Sequence, residues 1–319
     1  MMETSDWTAR ISQRLRLKDL HVFFAVAQFS SMARAAVHLR MTQPAVTKVI
    51  AGLEDIFGVV LFDRSSKGVE ITAFGRELLK CGTSVFDELR QGTRNIESLG
   101  DPTAGELRIG CLVSITAVLL PRIIQRFSRQ YPRVIFDVDD LPASTDQQSA
   151  LRERKYDLAL TRLVRPIGAD NSDLNVDVLF DDRMVIVAGT QSKWARRRKL
   201  DLSELIGEPW ILAPSYTWNF SCLMEAFHKR GLQMPKARVV SLSMPLRAEL
   251  VANGPYVTAV AMSALQSNIL RSTLKILPIN LPDRIGQVAI LTLKRRTLTP
   301  IAEHFIVSAR EIAATIRTR

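Results

Sequence analysis

The chain has 319 residues, enough for two domains or more, with 47% apolar and 24% charged side chains, the texture of an ordinary folded protein. No apolar run reaches the ~18 residues that a membrane span needs, and the first twenty residues hold no apolar leader core, so the cytoplasm is the expected location. The net charge is +11, yet residues 1–100 hold 13 basic and 11 acidic side chains and contribute only +2 of it, so bulk charge does not single out an N-terminal DNA reader.

Residues 1–16 are a polar lead-in. Over 17–28, Leu20, Phe23, Phe24 and Ala27 recur at helical spacing. A second helix is predicted over 31–39, with Ala35, Ala36 and Leu39 inward, and a third over 42–57, with Val46, Val49, Ile50, Leu53 and Phe57 on one face. Thr42 suits the N-cap of the third helix, Pro44 its first turn, and Gly58 the left-handed residue that ends it. Two short helices joined by a tight turn suit a helix-turn-helix, whose second helix enters the DNA major groove. An αα-hairpin inside a core fits the same spacing. Thr42, Gln43, Ala45, Thr47 and Lys48 fall near the exposed start of the third helix, and offer the hydrogen-bonding, methyl and cationic groups that base edges and phosphates accept.

Residues 59–71 predict a hairpin with a polar turn, Asp63-Arg64-Ser65-Ser66-Lys67-Gly68. A basic tip of this kind suits the phosphate backbone or the minor groove, and equally a solvated turn. Thr72 is placed to cap a long helix reaching about Leu99. Leu78, Val85, Leu89, Ile96 and Leu99 then form the four-three seam of a helix pair, interrupted by Gly82 and Gly92. Asp101-Pro102-Thr103-Ala104-Gly105 marks a hinge.

Beyond it, strands and helices alternate. Strands are predicted over 107–111, 134–138, 156–160, 184–188, 210–213, 238–241, 256–261 and 287–293. Helices are predicted over 115–130, near 146–154, over 219–229 and 245–253, and from Thr299-Pro300 to about 316. This alternation predicts parallel sheets. Ligands of such sheets sit at the carboxyl ends of strands against helix N-termini, which favour anions. Ser114, between the first strand and its helix, is the natural N-cap and ligand contact. Arg162 has three candidate partners, a ligand carboxylate, Asp181 or Asp182. The pairs Asp139-Asp140 and Asp181-Asp182, and the run Arg196-Arg197-Arg198-Lys199, read as solvated surface charge.

The segments Arg34-Ala35-Ala36, Thr42-Gln43-Pro44-Ala45-Val46, Leu53-Glu54, Leu61-Phe62-Asp63-Arg64 and Thr72-Ala73-Phe74-Gly75, at these spacings, resemble the winged helix-turn-helix of LysR-type transcriptional regulators. The run from Gly105 to Val134 is similar to the start of that family's effector domain. The resemblance spans residues 17 to about 316. It implies an α/β protein with an N-terminal all-α winged helix-turn-helix domain and a C-terminal, two-lobed, periplasmic-binding-protein-like effector domain. The implied divisions are 15–72 for DNA binding, 73–100 for a dimerising linker helix and 105–319 for effector binding. Lobe one takes about 105–183 and 292–319, and lobe two about 184–291. The implied DNA-binding residues are Met32, Arg34, Thr42, Gln43, Pro44, Ala45, Thr47 and Lys48, within a helix-turn-helix running from Met32 to Ala51, together with Arg64 and Lys67 of the wing. The implied effector contacts are Ser114, Thr116, Ser144, Thr145, Thr161, Arg162, Ser215, Tyr216, Thr217 and Ser243. The implied partners are double-stranded DNA, a small-molecule effector for which an anion is favoured, a second copy or a tetramer of the chain, and RNA polymerase. Pro255 and Tyr256 depart from the glycine-rich turn of many relatives.

The four histidines stand in no hydrolase or metalloprotease frame, and there is no P-loop or dinucleotide fingerprint, so neither an enzyme nor a cofactor is expected. Cys81, Cys111 and Cys222 are odd in number and widely spaced, which argues against a zinc site or disulfide framework. Two alternatives stay open, a redox-sensing regulator acting through Cys222 and a cytoplasmic small-molecule-binding protein. The second leaves the first 100 residues unexplained.

Overall fold

A computed structural model of the chain describes residues 11, 13–65, 68–101, 103–117, 119–141, 148–163, 172–266, 268–281 and 286–317. It divides into two compact units, Met1–Arg90 and Gln91–Arg319.

The first unit holds α1 (Leu17–Phe29), α2 (Met32–His38), α3 (Gln43–Phe57), the hairpin β1 (Phe62–Ser65) with β2 (Gly68–Ile71), and the first part of α4 (Ala73–Gly100). Local chemistry fixes the helix ends. Ser31 Oγ accepts from the Arg34 N–H at 3.3 Å and Thr42 Oγ1 from the Ala45 N–H at 3.4 Å, so both helices carry hydroxyl N-caps. Gly58 closes α3 in the left-handed region, with φ 69. Phe23, Val26, Ala35, Val46, Ile50 and Leu53 form the shared core.

The hairpin is anchored at both ends. Glu54 Oε1 accepts from the Leu61 N–H at 2.9 Å and the Phe62 N–H at 3.4 Å, and the Val69 N–H donates to the Ser30 carbonyl at 3.2 Å. Thr72 Oγ1 accepts from the Gly75 N–H at 3.0 Å, the cap expected of it.

One glycine in the α4 seam has a packing reason. A Cβ on Gly82 would lie 2.8 Å from Phe24 Cζ, and Phe24 is held in turn by Phe86, with ring centroids 5.5 Å apart. Close packing of α4 on α1 therefore requires the missing side chain. Gly82→Leu should overpack this contact and cost about 1–3 kcal/mol, despite leucine's better helix propensity; urea denaturation of the full chain is the measurement. Stabilisation would show that the packing can relax.

The second unit contains two five-stranded sheets. In the first, β3 (Ala104–Leu112), β4 (Arg133–Leu141), β5 (Leu158–Leu163), β6 (Leu174–Asp182) and β12 (Gly286–Leu293) run in the order β4-β3-β5-β12-β6. In the second, β7 (Met184–Gly189), β8 (Trp210–Leu212), β9 (Ala237–Val240), β10 (Val257–Ala261) and β11 (Leu274–Ile276) run β11-β7-β10-β8-β9. The covering helices are α5 (Leu120–Gln130), α6 (Trp218–His228), α7 (Met244–Asn253), α8 (Asn268–Thr273) and α9 (Pro300–Arg317). The first core gathers Leu107, Ile109, Ile123, Phe127 and Phe305; the second gathers Ile186, Trp210, Phe227 and Val257.

Several expectations are corrected. The sheets are mixed: β12 runs antiparallel to β5 and β6, and β7 antiparallel to β10 and β11, because the chain crosses between lobes and returns in the opposite direction. β6 is an additional strand. A register shift opposite Val288/Ala289 breaks its alternation, so its sequence carries no period of two. The return to the first sheet begins at Gly286 rather than near 292. The helix expected over 115–130 is split into a turn over Val113–Thr116 and α5, since Pro121 has no N–H with which to continue a helix from the preceding turn. Near 146–154 only Ser149–Arg152 is helical among the described residues.

The C-terminal part of α4 is fastened to the first sheet by one buried carboxylate. Asp157 accepts from Gln91 Nε2 at 3.1 Å, Arg94 Nη1 at 3.3 Å, the Arg108 N–H at 2.9 Å, Arg108 Nη2 at 3.0 Å and Arg296 Nη2 at 2.7 Å. Burial pushes its pKa up, but the hydrogen bonds and charges from Arg108 and the charge of Arg296 outweigh this and hold it below the usual carboxylate value. No helix among the described residues is long and apolar enough to cross a membrane.

Candidate nucleic-acid interface and ligand cleft

On α3 the two faces divide cleanly. Val46, Ile50 and Leu53 are buried, while Gln43, Pro44 and Lys48 are exposed and Ala45 and Thr47 half-exposed. Positions 43, 47 and 48 therefore share the open side of a helix whose first turn is capped by exposed Thr42. Arg34 is also exposed, and its guanidinium donates to the Phe29 carbonyl. Met32 is a correction: it is 7% exposed and packs into the helical core, so it supports the motif rather than presenting a contact. Arg64 lies in β1 opposite Val69. Its side chain, and all of Lys67, fall outside the described residues.

In the second unit, the segments after β3, β8 and β9 carry most of the expected ligand contacts, and Thr161 and Arg162 lie within β5. The structure brings Ser114 and Arg162 together. Arg162 Nη1 donates to Ser114 Oγ at 3.1 Å and Nη2 to Asp182 Oδ2 at 2.7 Å. Both members of the ion pair are buried, with side chains 3% and 1% exposed. Asp182 also accepts from the Ser263 N–H at 3.0 Å and from Ser263 Oγ at 2.6 Å. The guanidinium carbon lies 4.7 Å from the centre of the Trp218 ring, close enough for a cation–π contact. A Cβ on Gly286 would fall 2.6 Å from Arg162 Cδ, so this packing needs a glycine there.

Of the two aspartates left open for Arg162, Asp182 is the one it pairs with. The expectation of a solvated Asp182 is thereby overturned: its strand buries it at the crossing into lobe two, where only ionic and hydroxyl partners make burial tolerable. Asp139 and Asp181 meet Tyr156 and Gln287, respectively. Two donors in the cluster, Arg162 Nε and Trp218 Nε1, are buried with no acceptor.

The remaining expected contacts are dispersed. Ser114 is not an N-cap; Leu112 holds that position with no side-chain cap. Thr116 Oγ1 donates to the Leu112 carbonyl at 3.3 Å and to Asp140 Oδ1 at 3.4 Å. Thr161 is buried within β5. Thr217 is the cap of α6, accepting from Phe220 at 3.2 Å and donating to the Pro214 carbonyl at 2.7 Å. Ser243 caps α7, accepting from Leu246 at 3.4 Å. Ser215 and Tyr216 are exposed. Ser144 and Thr145 lie outside the described residues. Trp218 and Ser263 escape a reading of the sequence, because a tryptophan at a helix start and a serine after a strand carry no signal until the lobes are folded.

None of the three cysteines is in a disulfide; Cys81 is exposed and Cys111 and Cys222 are buried. Cys222 sits in the apolar core of lobe two. Burial pushes the Cys111 thiol up to about 12, so it stays protonated and unreactive at neutral pH.

Comparison with known proteins agrees in both units. Residues 17–76 match the family described as bacterial regulatory helix-turn-helix protein, lysR family, and residues 100–314 match the LysR substrate binding domain. The transcriptional dual regulator GltC of Bacillus subtilis is 27% identical over 291 residues, covering 91% of this chain and 95% of its own. Full-length OxyR from Pseudomonas aeruginosa superposes with a TM-score of 0.64 at 21% identity, covering 93% of this chain and 94% of that one. Full-length CbnR in complex with its target DNA gives 0.52 at 20% identity, covering 94% and 100%. A capped helix with one open face, a hairpin beside it and a two-lobed α/β unit agree with these matches, and the chain belongs to the LysR family of bacterial transcriptional regulators.

Proposed function

We propose that this protein binds specific DNA sequences as a homodimer or dimer of dimers and is controlled by a small anionic effector held between the two lobes. The observation that carries the DNA reading is the open face of α3, with Gln43 and Lys48 exposed and Thr47 half-exposed, opposite buried Val46, Ile50 and Leu53. Gln43 is the base reader, since an amide can pair bidentately with adenine in the major groove. Lys48 and the wing's Arg64 hold phosphates. The pairing of subunits rests on α4, where Val85, Leu89, Ile96 and Leu99 are exposed along the seam, Leu99 by 85%. Such a regulator works in the cytoplasm, with RNA polymerase as its protein partner.

The effector reading rests on the Ser114–Arg162–Trp218 cluster. An anionic group would give Arg162 Nε and Trp218 Nε1 the acceptors they lack. An effector acts only by favouring one lobe arrangement over another; a group that draws Arg162 away from Asp182 would do so.

The test compares two variants on selected and random duplexes. Gln43→Ala should cost about 1–3 kcal/mol on the selected site only, whereas Arg64→Ala should weaken both alike. Equal ratios of specific to non-specific affinity in the two variants would refute these roles, and a wild-type chain without salt-sensitive DNA binding would refute the regulator reading.

A further inference from the structure

Beside the helix-turn-helix lies a groove of about 610 Å³. Val22, Leu39, Met41 and Val49 line its apolar part, and Arg16 and Lys18 are among the charged groups that line it. Both cations are exposed, and neither forms an ion pair among the described residues. Arg14 and His21 also line it, with Asp19 as its acidic group. Arg14 is already neutralised, its Nη2 lying 2.5 Å from Asp55 Oδ2 on α3, which fastens the start of the chain alongside that helix. The family match begins at residue 17, so Arg14 and Arg16 belong to a lead-in outside it.

A third cation stands at the same edge. Arg40, in the turn between α2 and α3, is exposed and adopts φ 53, a left-handed conformation that a side chain disfavours. Its neighbours Leu39 and Met41 both line the groove. A strained, exposed cation where glycine would be easier points to a task other than folding.

We infer that this groove takes the DNA phosphate backbone flanking the half-site read by α3, with Arg16, Lys18 and Arg40 as its phosphate contacts. The inference rests on the regulator reading and extends the DNA surface beyond it. Two observations choose DNA over a protein partner. The groove is continuous with the reading face, since Met41 precedes the Thr42 cap and Val49 follows Lys48. Two of its lining cations, Arg16 and Lys18, are unpaired among the described residues, and its apolar floor suits the carbon face of deoxyribose, a combination that a polyanion with apolar sugars matches.

The full-length protein is titrated against a random-sequence duplex between about 50 and 200 mM salt, a range in which phosphate neutralisation dominates. The slope of log affinity against log salt falls by about 0.9 for each phosphate no longer neutralised, so Arg16→Gln with Lys18→Gln should lower it by about 1.8. Arg197→Gln with Lys199→Gln, which removes the same charge from lobe two, should leave the slope unchanged. Arg40→Gly should weaken binding without lowering the thermal midpoint, which separates DNA binding from folding. A wild-type slope in the Arg16/Lys18 variant overturns the inference, as does an equal drop in the Arg197/Lys199 control. Unchanged DNA binding with impaired transcription in vitro overturns it in favour of a protein partner. Absence of DNA binding by the wild type defeats the regulator reading as well and is distinguishable from these outcomes.

Discussion

Asp157→Ala should destabilise the second unit by about 3–5 kcal/mol, the usual cost of leaving buried charges without their partner. Three guanidiniums converge on this carboxylate. The Arg296 side chain is fully buried, and Arg94 and Arg108 are only 12% and 13% exposed, so water cannot replace the missing anion at Arg296 and only partly at the others. Arg94 keeps a second partner in Glu106 at 2.6 Å, which softens the loss on its side. Urea denaturation followed by tryptophan fluorescence is suited to the measurement, since Trp194, Trp210 and Trp218 all lie in this unit. The pH dependence has a fixed sign. The folded pKa is depressed, so the stabilisation is present above the unfolded value of about 3.9 and is lost as pH falls through the folded value. The wild type should therefore lose stability on acidification below about pH 4, more steeply than the variant. A variant that melts like the wild type would mean that α4 is held by its apolar contacts alone.

Asp182→Ala should be comparably damaging, at about 3–5 kcal/mol, and for a more local reason. It removes the carboxylate paired with buried Arg162, together with both hydrogen bonds that Asp182 accepts from Ser263. Adding Arg162→Met should restore much of the loss, because a buried pair replaced by apolar groups is often close to neutral. The double-mutant cycle should thus be strongly non-additive. Simple addition of the two single losses would show that the pair does not act as a unit. Arg162→Met alone should leave the salt-dependent DNA affinity intact while abolishing any response to a carboxylate effector found by thermal-shift screening. A retained response would remove Arg162 from the ligand site.

The DNA-binding unit is legible in the sequence because its information is local. The cap at Thr42, Pro44 at a helix start and Gly58 at its end announce themselves within a few residues, and the structure places each where the spacing puts it. The sensor unit is legible in its alternation but not in its wiring. Strand direction is set by where the chain crosses between lobes, and β6 and the start of β12 depend on a bulge that no periodicity reports. Asp157 and Asp182 are opaque for the same reason. The first gives no signal, and the second reads as solvated, because a carboxylate just before a strand or at its end shows nothing of arginines 49 and 20 residues away until the sheet brings them together. Met32 is misassigned when a whole motif is carried over, since only its exposed positions can touch DNA.

The double anchoring of the hairpin has a mechanical meaning. Glu54, on α3, holds the hairpin's first strand, and the Ser30 carbonyl, one residue before the Ser31 cap of α2, holds its second. The chain therefore carries a caliper whose jaws, α3 and the hairpin, are held at one opening before DNA arrives. Binding spends no ordering entropy on setting that opening. Under the proposed function, differences among operators are then absorbed in the separation and bend between half-sites, the variable that an effector-driven change in a subunit pair would reach.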